Sequence, residues 1–416
     1  MWGRSALHRV QAGLAAGVLV ATLVACTEDD GSADMPSAKP PAPSSQSADR
    51  DAQPGWIVSL GDSYISGEGA RWGANGSGPI RRTDALGPDA YFDADGQESE
   101  PGCHRASRTV VVPRVAGLRG KNVACSGATT RSDSSGVRFK PGLDFAHESD
   151  GDGIGQTLAL RRFAAHHRVV AVVVSIGGND FGFGALAGQC VNDNLSWDGG
   201  APPLCSDDAD LNARFDPRGQ VGVERSVTAA LGRVTAGMRE AGYADEDYRR
   251  VLMTYPSPIP PGSRLRYSDA DRGRLGGCPF FALDADWANG VVLPAINHTV
   301  AAAARSAAVP FEVLDLGHAF DGHRLCETGT VRLSESDPDP WDAPGAVNRL
   351  EWVNQVYTTI APHQIQESLH PGYWGTAAER ACLRLVLTGS AQPSYRCRQA
   401  GPGLRDGDPA MKLTGD

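Results

Sequence analysis

The chain has 416 residues, with 39 basic and 49 acidic side chains and a formal net charge of −10. This acidic balance excludes the basic surface of a nucleic-acid-binding protein, so we expect no nucleic-acid partner. After residue 26 no stretch is long and apolar enough to span a bilayer, which argues against a multi-span membrane protein.

The N-terminus has the pattern of an export signal. Residues 1–25 start with basic side chains, among them Arg4 and Arg9, and continue as an apolar run too short for a membrane span. The run ends at Cys26, in a segment that is similar to a bacterial lipobox, where the cysteine becomes the lipidated first residue. We therefore predict a lipoprotein signal peptide over 1–25 and a cell-membrane lipid anchor at Cys26. The alternative is an ordinary signal peptide.

Composition divides the rest of the chain into three segments. Residues 26–53 are rich in Ser, Pro, Ala and Asp and almost free of large apolar side chains, so we predict a disordered tether. Residues 54–400 are predicted to form one folded domain, long for a single domain but acceptable for an α/β enzyme with insertions. We predict a flexible C-terminal tail over 401–416.

In the folded part, apolar β-branched runs alternate with segments of helical periodicity. A buried strand is predicted over 56–60, and a long irregular segment follows over 69–102. Further strands are predicted over 122–125, 169–176, 250–254 and 310–315, and helices over 157–167, 221–241, 285–308, 347–360 and 374–387. This alternation predicts an α/β fold, a three-layer α/β/α sandwich around a mainly parallel sheet.

The cysteines indicate an oxidising compartment. Apart from Cys26 their number is even, which in an exported chain indicates disulfides. Many pairings are possible, and we predict that sequence neighbours pair: Cys103–Cys125, Cys190–Cys205, Cys278–Cys326 and Cys382–Cys397. A closed loop of about 15 residues contributes roughly 3 kcal/mol in the chain-entropy model. Zinc binding is the alternative, but the sequence has no CxxC pair, so we expect no metal site.

Four short motifs stand close to the ends of predicted strands or before a predicted helix. They are Gly61-Asp62-Ser63, Cys125-Ser126-Gly127-Ala128, Gly177-Gly178-Asn179-Asp180 and Glu367-Ser368-Leu369-His370-Pro371. Each motif alone is ordinary turn or helix-cap chemistry. Because open α/β sheets bind ligands at the carboxyl ends of their strands, the joint occurrence of the four motifs predicts one catalytic site.

In this order the four motifs resemble those of the SGNH (GDSL) hydrolase superfamily, and in particular its secreted actinobacterial esterases and lipases. Further matches are Gly67-Glu68-Gly69, Cys103-His104-Arg105 and Phe320-Asp321-Gly322-His323. The resemblance covers roughly residues 56–400 and implies a flavodoxin-like α/β/α fold. Each motif by itself is a weak signal, whereas the ordered set is specific.

The resemblance implies a role for each motif. Ser63 would be the nucleophile and His370 the general base, since ester cleavage needs both. The oxyanion would be bound by the backbone N–H groups of Ser63 and Gly127 and by the side-chain amide of Asn179. This chemistry needs no cofactor.

The residue that orients the general base is less clearly marked. The family pattern has an aspartate three residues before the histidine, and this chain has Glu367 there. We assign Glu367 as the third catalytic residue, because glutamate serves in that position in other serine hydrolases. The alternative is a backbone carbonyl, from Ser368 or Leu369.

These observations predict an exported serine ester hydrolase, an esterase or lipase, that acts as a monomer on a lipid or another carboxylic ester. A carbohydrate O-acetylesterase and a phospholipase are alternatives of the same class. A non-catalytic envelope lipoprotein that keeps the fold as a binding module is an alternative of a different class. Substrate choice is expected to depend on the loop over 69–102 and the Cys190–Cys205 loop, with Trp72, Tyr91, Phe181 and Trp197 as candidate apolar lining.

Overall fold

The computed structural model describes residues 53–76, 79–110, 115, 117–136, 138–149, 151–333, 339–358 and 365–415. The predicted signal peptide, its Cys26 anchor and nearly all of the predicted tether lie outside the described residues. In the described part of the chain, no helix combines the length and apolar character needed to cross a membrane.

The core of the fold is a seven-stranded sheet with the order β2-β1-β3-β4-β5-β6-β7. Its strands are β1 Gly55–Gly61, β2 Leu118–Asn122, β3 Val169–Ser175, β4 Arg249–Met253, β5 Glu312–Asp315, β6 Ser394–Arg405 and β7 Asp408–Thr414. Neighbouring strands from β2 to β6 pair in parallel, and β6 pairs antiparallel with β7. The first five strands follow the flavodoxin-like order, which confirms the predicted fold class.

Helices connect and flank these strands. The α-helices are α1 Ser63–Ser66, α2 Gln156–Ala164, α3 Phe183–Leu195, α4 Ala209–Arg214, α5 Pro217–Glu240, α6 Asp269–Asp271, α7 Ala282–Trp287, α8 Leu293–Ser306 and α9 Tyr373–Thr388. Wider π-type turns occupy Arg272–Gly276 and Ala288–Val292, so the helix predicted over 285–308 is interrupted before α8. Short 3₁₀ turns occupy Ile80–Arg82, Cys205–Asp207, Gly262–Arg264, Ala346–Asn348 and Ile365–Glu367.

Alternating side chains of the parallel strands bury on opposite faces of the sheet. In β3, Ala171 and Val173 belong to one apolar cluster, whereas Val172 and Val174 belong to the other. The second cluster includes the buried faces of α2, α5 and α8, and the first includes those of α3 and α9. Because both faces are covered by helices, β3 is apolar on both sides, as its uninterrupted apolar sequence predicted.

The structure contains disulfides at the predicted pairs, Cys103–Cys125, Cys190–Cys205, Cys278–Cys326 and Cys382–Cys397. Cys190 lies on α3 and Cys382 on α9, so two of the bridges attach a helix to a neighbouring segment. The other two join loop segments to each other.

Two predictions at the C-terminal end of the chain are wrong. Residues 401–405 and 408–414 belong to β6 and β7 instead of a flexible tail. Asp408 is buried and paired with Arg380 and Arg384, which fixes this hairpin against α9. The helix predicted over 347–360 is also absent from its described part, which has only the 3₁₀ turn at Ala346–Asn348.

Long-range hydrogen bonds explain why this segment does not form the predicted helix. The backbone N–H of Trp352 donates to His323 O over 2.7 Å, and that of Asn354 donates to His370 O over 2.9 Å. A helix would have required both N–H groups to bond within the segment. The strand predicted over 122–125 ends earlier, at Asn122, although the Val123 N–H still donates to Ser59 O of β1 over 3.0 Å.

Candidate active site

Ser63 lies where β1 turns abruptly into the one-turn helix α1. Gly61 has a φ of 137°, and a Cβ atom there would lie 1.9 Å from Ser175 O, so this turn needs glycine. Asp62 caps α1, because its side chain accepts a 3.1 Å hydrogen bond from the Tyr64 N–H. Gln156 clamps the strand end by donating to Gly61 O and accepting from Gly61 N. The sharp turn therefore presents Ser63 at the carboxyl edge of the sheet.

His370 lies against this serine although it is more than three hundred residues away in sequence. Its Nε2 is 2.7 Å from Ser63 Oγ, and its ring centroid is 5.1 Å from that of Tyr64. The Tyr64 hydroxyl donates to Leu369 O over 3.0 Å, which ties the histidine loop to α1. The structure thus brings the predicted nucleophile and the predicted base into direct hydrogen-bond contact.

The orienting partner of His370 is a backbone carbonyl. His370 Nδ1 is 3.0 Å from Ser368 O. Leu369 between them has a φ of 64°, in the left-handed region that a leucine rarely adopts, and this turn directs the Ser368 carbonyl towards the imidazole. The assignment of Glu367 as the orienting carboxylate is therefore corrected, and the carbonyl alternative fits.

Glu367 has a different set of partners. Its buried carboxylate accepts hydrogen bonds from Trp72 Nε1 over 2.9 Å and from the Tyr91 hydroxyl. Trp72 and Tyr91 belong to the long loop after Ser63, so Glu367 fastens that loop to the histidine loop. The carboxylate is occupied by these donors, which explains why it does not reach Nδ1 of His370.

The predicted oxyanion donors lie on two loops beside Ser63. Gly127 has a φ of 74°, and Asn179 follows β3; both line the cavity at Ser63. Asn179 Nδ2 donates to Ala128 O over 3.0 Å, and because an amide carries two such hydrogens, this bond uses only one of them. The side-chain amide is thereby held at the cavity wall, next to Gly127.

The chain resembles an SGNH hydrolase in fold as well as in motif.

Long-range hydrogen bonds hold the SGNH-like loops together. The Tyr255 hydroxyl donates to Asp62 and accepts from the Gly178 N–H over 3.0 Å, so it joins the serine loop to the asparagine loop. Asp180 accepts from the Thr130 hydroxyl over 2.6 Å, which joins the asparagine loop to the glycine loop. Asp62 and Asp180 therefore each join their own loop to a neighbouring loop.

Burial raises the pKa of the carboxyl groups of both Asp62 and Asp180. It raises the pKa of Asp62 to about 7, against the opposing hydrogen bonds from Tyr255 and the Tyr64 N–H. Burial likewise raises the pKa of Asp180, although the hydrogen bonds from Thr130 oppose it. Both groups lie behind the site and support its loops.

Comparisons with solved structures return lipases and esterases. An extracellular lipase from Streptomyces rimosus is 21% identical, with 79% of this chain and 98% of that chain covered and a TM-score of 0.42. Phospholipase A1 from Streptomyces albidoflavus NA297 is 19% identical, with 81% and 99% covered and a TM-score of 0.42. A carbohydrate acetylesterase from Sinorhizobium meliloti is 12% identical, with 62% and 83% covered and a TM-score of 0.27.

No family model matches the sequence, and the search of curated proteins finds no match. At such low identities and TM-scores the likeness says nothing of the substrate, which has to be inferred from this chain's own residues.

An apolar cavity of about 500 Å³ opens beside Ser63 and His370. One wall is a face of α3, which contributes Phe183, Ala187, Val191 and Leu195. A smaller cavity of about 50 Å³ adjoins it, and Phe183, Ala187, Pro258, Leu293, Ile296 and Leu369 line both. The site therefore combines a few polar groups with a long apolar compartment, as is typical of a small-molecule binding site.

Sequence reasoning found part of this wall, since Val191 and Leu195 lie in the Cys190–Cys205 loop, but it proposed other side chains as the apolar lining. Phe181 packs on Phe215 with 5.4 Å between the ring centroids, and Trp197 packs on Phe281. Trp72 and Tyr91 donate to Glu367, as described above. The four aromatics therefore serve packing and loop attachment. The apolar spacing over 183–195 is a helical signal that could have identified α3.

Proposed function

We propose that this protein is a serine ester hydrolase that cleaves carboxylic esters through an acyl-enzyme on Ser63. The observation that carries the proposal is the 2.7 Å contact between Ser63 Oγ and His370 Nε2. A serine hydroxyl is a weak nucleophile unless a base accepts its proton, and this contact supplies the base.

The proposed reaction has two halves. Ser63 Oγ attacks the ester carbonyl carbon while its proton passes to His370 Nε2, and the resulting oxyanion accepts hydrogen bonds from Ser63 N, Gly127 N and Asn179 Nδ2. When the intermediate collapses, His370 returns the proton to the leaving alkoxide. Water then attacks the acyl-enzyme by the same route, which releases the carboxylic acid and restores Ser63.

The Ser368 carbonyl supports the required tautomer of His370. With its Nδ1–H donating to Ser368 O, the neutral imidazole presents the lone pair of Nε2 to the serine. A neutral carbonyl thereby takes over the orienting task that a carboxylate performs in many serine hydrolases.

The apolar cavity favours a long acyl chain as the substrate group. An acetyl group has two carbons and would leave most of the 500 Å³ cavity without a ligand atom. A long alkyl chain would instead exchange water contact for the apolar wall of α3, at about 0.8 kcal/mol per buried CH₂. We therefore favour a lipase or phospholipase activity over carbohydrate deacetylation.

We further propose that the enzyme works outside the cytoplasm, attached to the membrane by a lipid on Cys26. Support comes from the signal and lipobox pattern of residues 1–26 and from the disulfides of the folded part. The tether over 27–53 would give the domain reach towards lipid esters in the envelope.

A series of p-nitrophenyl esters tests the proposed function. We expect turnover that rises from acetyl to medium and long acyl chains, and that falls to background in Ser63→Ala. A preference for acetyl esters would favour the carbohydrate acetylesterase. Folded protein that hydrolyses no ester of the series would support the non-catalytic binding lipoprotein instead.

A further inference from the structure

A buried charged cluster lies on the far side of the catalytic dyad from Ser368. Glu68 follows α1 and is 1% exposed. Its Oε1 is 2.8 Å from His104 Nδ1, and its Oε2 accepts a hydrogen bond from the Ser126 hydroxyl. The same Oε2 lies 3.9 Å from Nε2 of His370. The motifs around Glu68 and His104, to which the resemblance assigned no chemical role, therefore meet beside Ser63 and His370.

Glu68 is held as a carboxylate in this cluster. Burial by itself raises its pKa, but the hydrogen bond from His104, the nearby charges of His370 and His104 and the Ser126 hydroxyl together bring the pKa below its ordinary value. Burial would lower the pKa of His104, yet its bond to Glu68 and the charges of Glu68 and Glu98 raise it. The cluster thus combines an ionised Glu68 with a histidine that favours its protonated form.

This carboxylate faces the nitrogen that gains a proton during catalysis. When Ser63 attacks, His370 becomes an imidazolium with its new proton on Nε2. Within the part of the chain that the structure describes, Nδ1 of that cation is bonded to the Ser368 carbonyl, which offers a dipole and no full charge, while the carboxylate of Glu367 accepts from Trp72 and Tyr91. Glu68 places a full negative charge 3.9 Å from Nε2 of His370. The environment is buried, so this interaction is screened less than it would be in water.

We propose that Glu68 is a positioning residue for His370: it stabilises the imidazolium from the Nε2 side and so supplies the negative charge that the Ser368 carbonyl, bonded to Nδ1, does not carry. His104 bonds to one oxygen of Glu68, and the Ser126 hydroxyl bonds to the other. This inference rests on the proposed ester hydrolysis, since it concerns the charge that forms on His370.

Other charged groups surround the cluster. Glu98 Oε1 is 3.6 Å from His104 Nε2, on the side away from Glu68. Two further charged groups interact with the cluster at longer range. The charge of Glu68 raises the pKa of Lys140, and the charge of Glu367 raises the pKa of His104. Any measured pH effect of Glu68 has to be separated from these neighbours, and the Glu367→Gln control below removes one of them while it leaves Glu98 and Lys140 in place.

Glu68→Gln tests the inference, because it removes the charge and retains the shape of the side chain. On a p-nitrophenyl ester we expect kcat to fall on the order of 100-fold, about 2.7 kcal/mol at 1.36 kcal/mol per tenfold, with KM nearly unchanged. Since the imidazolium loses its partner charge, the acid limb of the kcat/KM profile should move to lower pH. An unchanged kcat and acid limb would overturn the inference.

Two control variants separate charge from loop support. Ser126→Ala removes the bond between Glu68 and the glycine loop but retains the carboxylate, and Glu367→Gln removes a different buried carboxylate. Under the proposal neither moves the acid limb. If Ser126→Ala reproduced the kinetics of Glu68→Gln, including the limb, the role of Glu68 would be structural support and the inference would be wrong.

A double variant covers the case in which Glu68→Gln does not fold. Glu68→Gln with His104→Gln removes both charges together and lets the two amides bond to each other. It should show the same loss of kcat and the same shift of the acid limb, and wild-type values for both would overturn the inference. The proposed function is tested separately, because its failure would appear as absence of ester turnover in the wild-type protein.

Discussion

At the residue scale, the active site depends on how one histidine loop is folded. Leu369 adopts a left-handed backbone conformation, and its carbonyl accepts from the Tyr64 hydroxyl. Such a conformation costs a non-glycine residue on the order of 1 kcal/mol and persists where the surroundings impose it. Here it turns Ser368 O towards His370 Nδ1, so the strained backbone of Leu369 orients the imidazole ring.

Glu367→Gln distinguishes the two orienting partners. Because Ser368 O holds His370 Nδ1, we expect kcat to stay within a few-fold of wild type. We expect a loss of about 1–3 kcal/mol in the free energy of unfolding, since the buried acceptor for Trp72 and Tyr91 is altered. Ester kinetics and urea denaturation of the same preparation measure the two effects.

A fall of several orders of magnitude in kcat, with the fold intact, would contradict this expectation. It would mean that the carboxylate reaches His370 during turnover and serves as the third catalytic residue. Ser63→Ala sets the background rate against which such a fall is judged.

At the element scale, helix α3 decides what the site can bind. Its buried side includes Leu186 and Cys190, and a second face forms the wall of the apolar cavity. Gly184 and Gly188 also line this cavity, and a Cβ atom at either glycine would have no neighbour within 4 Å. The helix therefore leaves open space at the position where an acyl chain would enter.

Gly188→Leu should reduce the activity towards esters with long acyl chains. The leucine side chain occupies space at the cavity wall, so we expect kcat/KM for long acyl esters to fall at least roughly tenfold, a typical effect of a few methylene groups in an apolar pocket. Short-chain esters should be hydrolysed at close to the wild-type rate. The p-nitrophenyl ester series measures both.

Gly232→Leu is the matched control, because Gly232 is an exposed glycine of α5 with equally open surroundings and does not line the cavity. Both variants should gain slightly in helix stability, since leucine is a better helix former than glycine. Equal loss of long- and short-chain activity in Gly188→Leu would argue against α3 as the acyl wall.

At the scale of the whole molecule, the C-terminal hairpin closes the sheet and packs on α9. Asp408 is fully buried, and its two oxygens lie 2.7 Å from Arg380 and 2.7 Å from Arg384, both on α9. The chain leads from His370 through two residues into α9, so this hairpin secures the element that follows His370.

Asp408→Ala should reduce the free energy of unfolding by about 3–5 kcal/mol, because it removes the buried counter-charge of Arg380 and Arg384, of which Arg384 retains the exposed Asp406 as a partner. Thermal or urea denaturation measures the loss. Asp245→Ala, which removes a solvent-exposed ion pair with Arg239, is the control and should have a much smaller effect. Equal losses in the two variants would show that the hairpin contributes little to the stability of the fold.

Much of the fold could be predicted because strands of a covered parallel sheet carry a strong local signal. The run over 169–176 is apolar throughout, and it lies as β3 within the sheet. The two wrong predictions, a helix over 347–360 and a flexible tail over 401–416, share a cause. The backbone N–H groups of Trp352, Asn354 and Val356 donate to distant loops. Residues 401–414 pack on α9 through the pairing of Asp408 with its arginines, which no local pattern reveals.

The sequence by itself determined the α/β class and the set of motifs that meets beside Ser63, because the first depends on local patterning and the second on the order of short motifs. Tertiary structure alone decided that Ser368 O instead of Glu367 orients His370, and that Glu68 and His104 join the site. It also decided the shape of the acyl cavity. These contacts join residues up to about three hundred positions apart, and distances across such separations follow from packing, which local sequence does not encode.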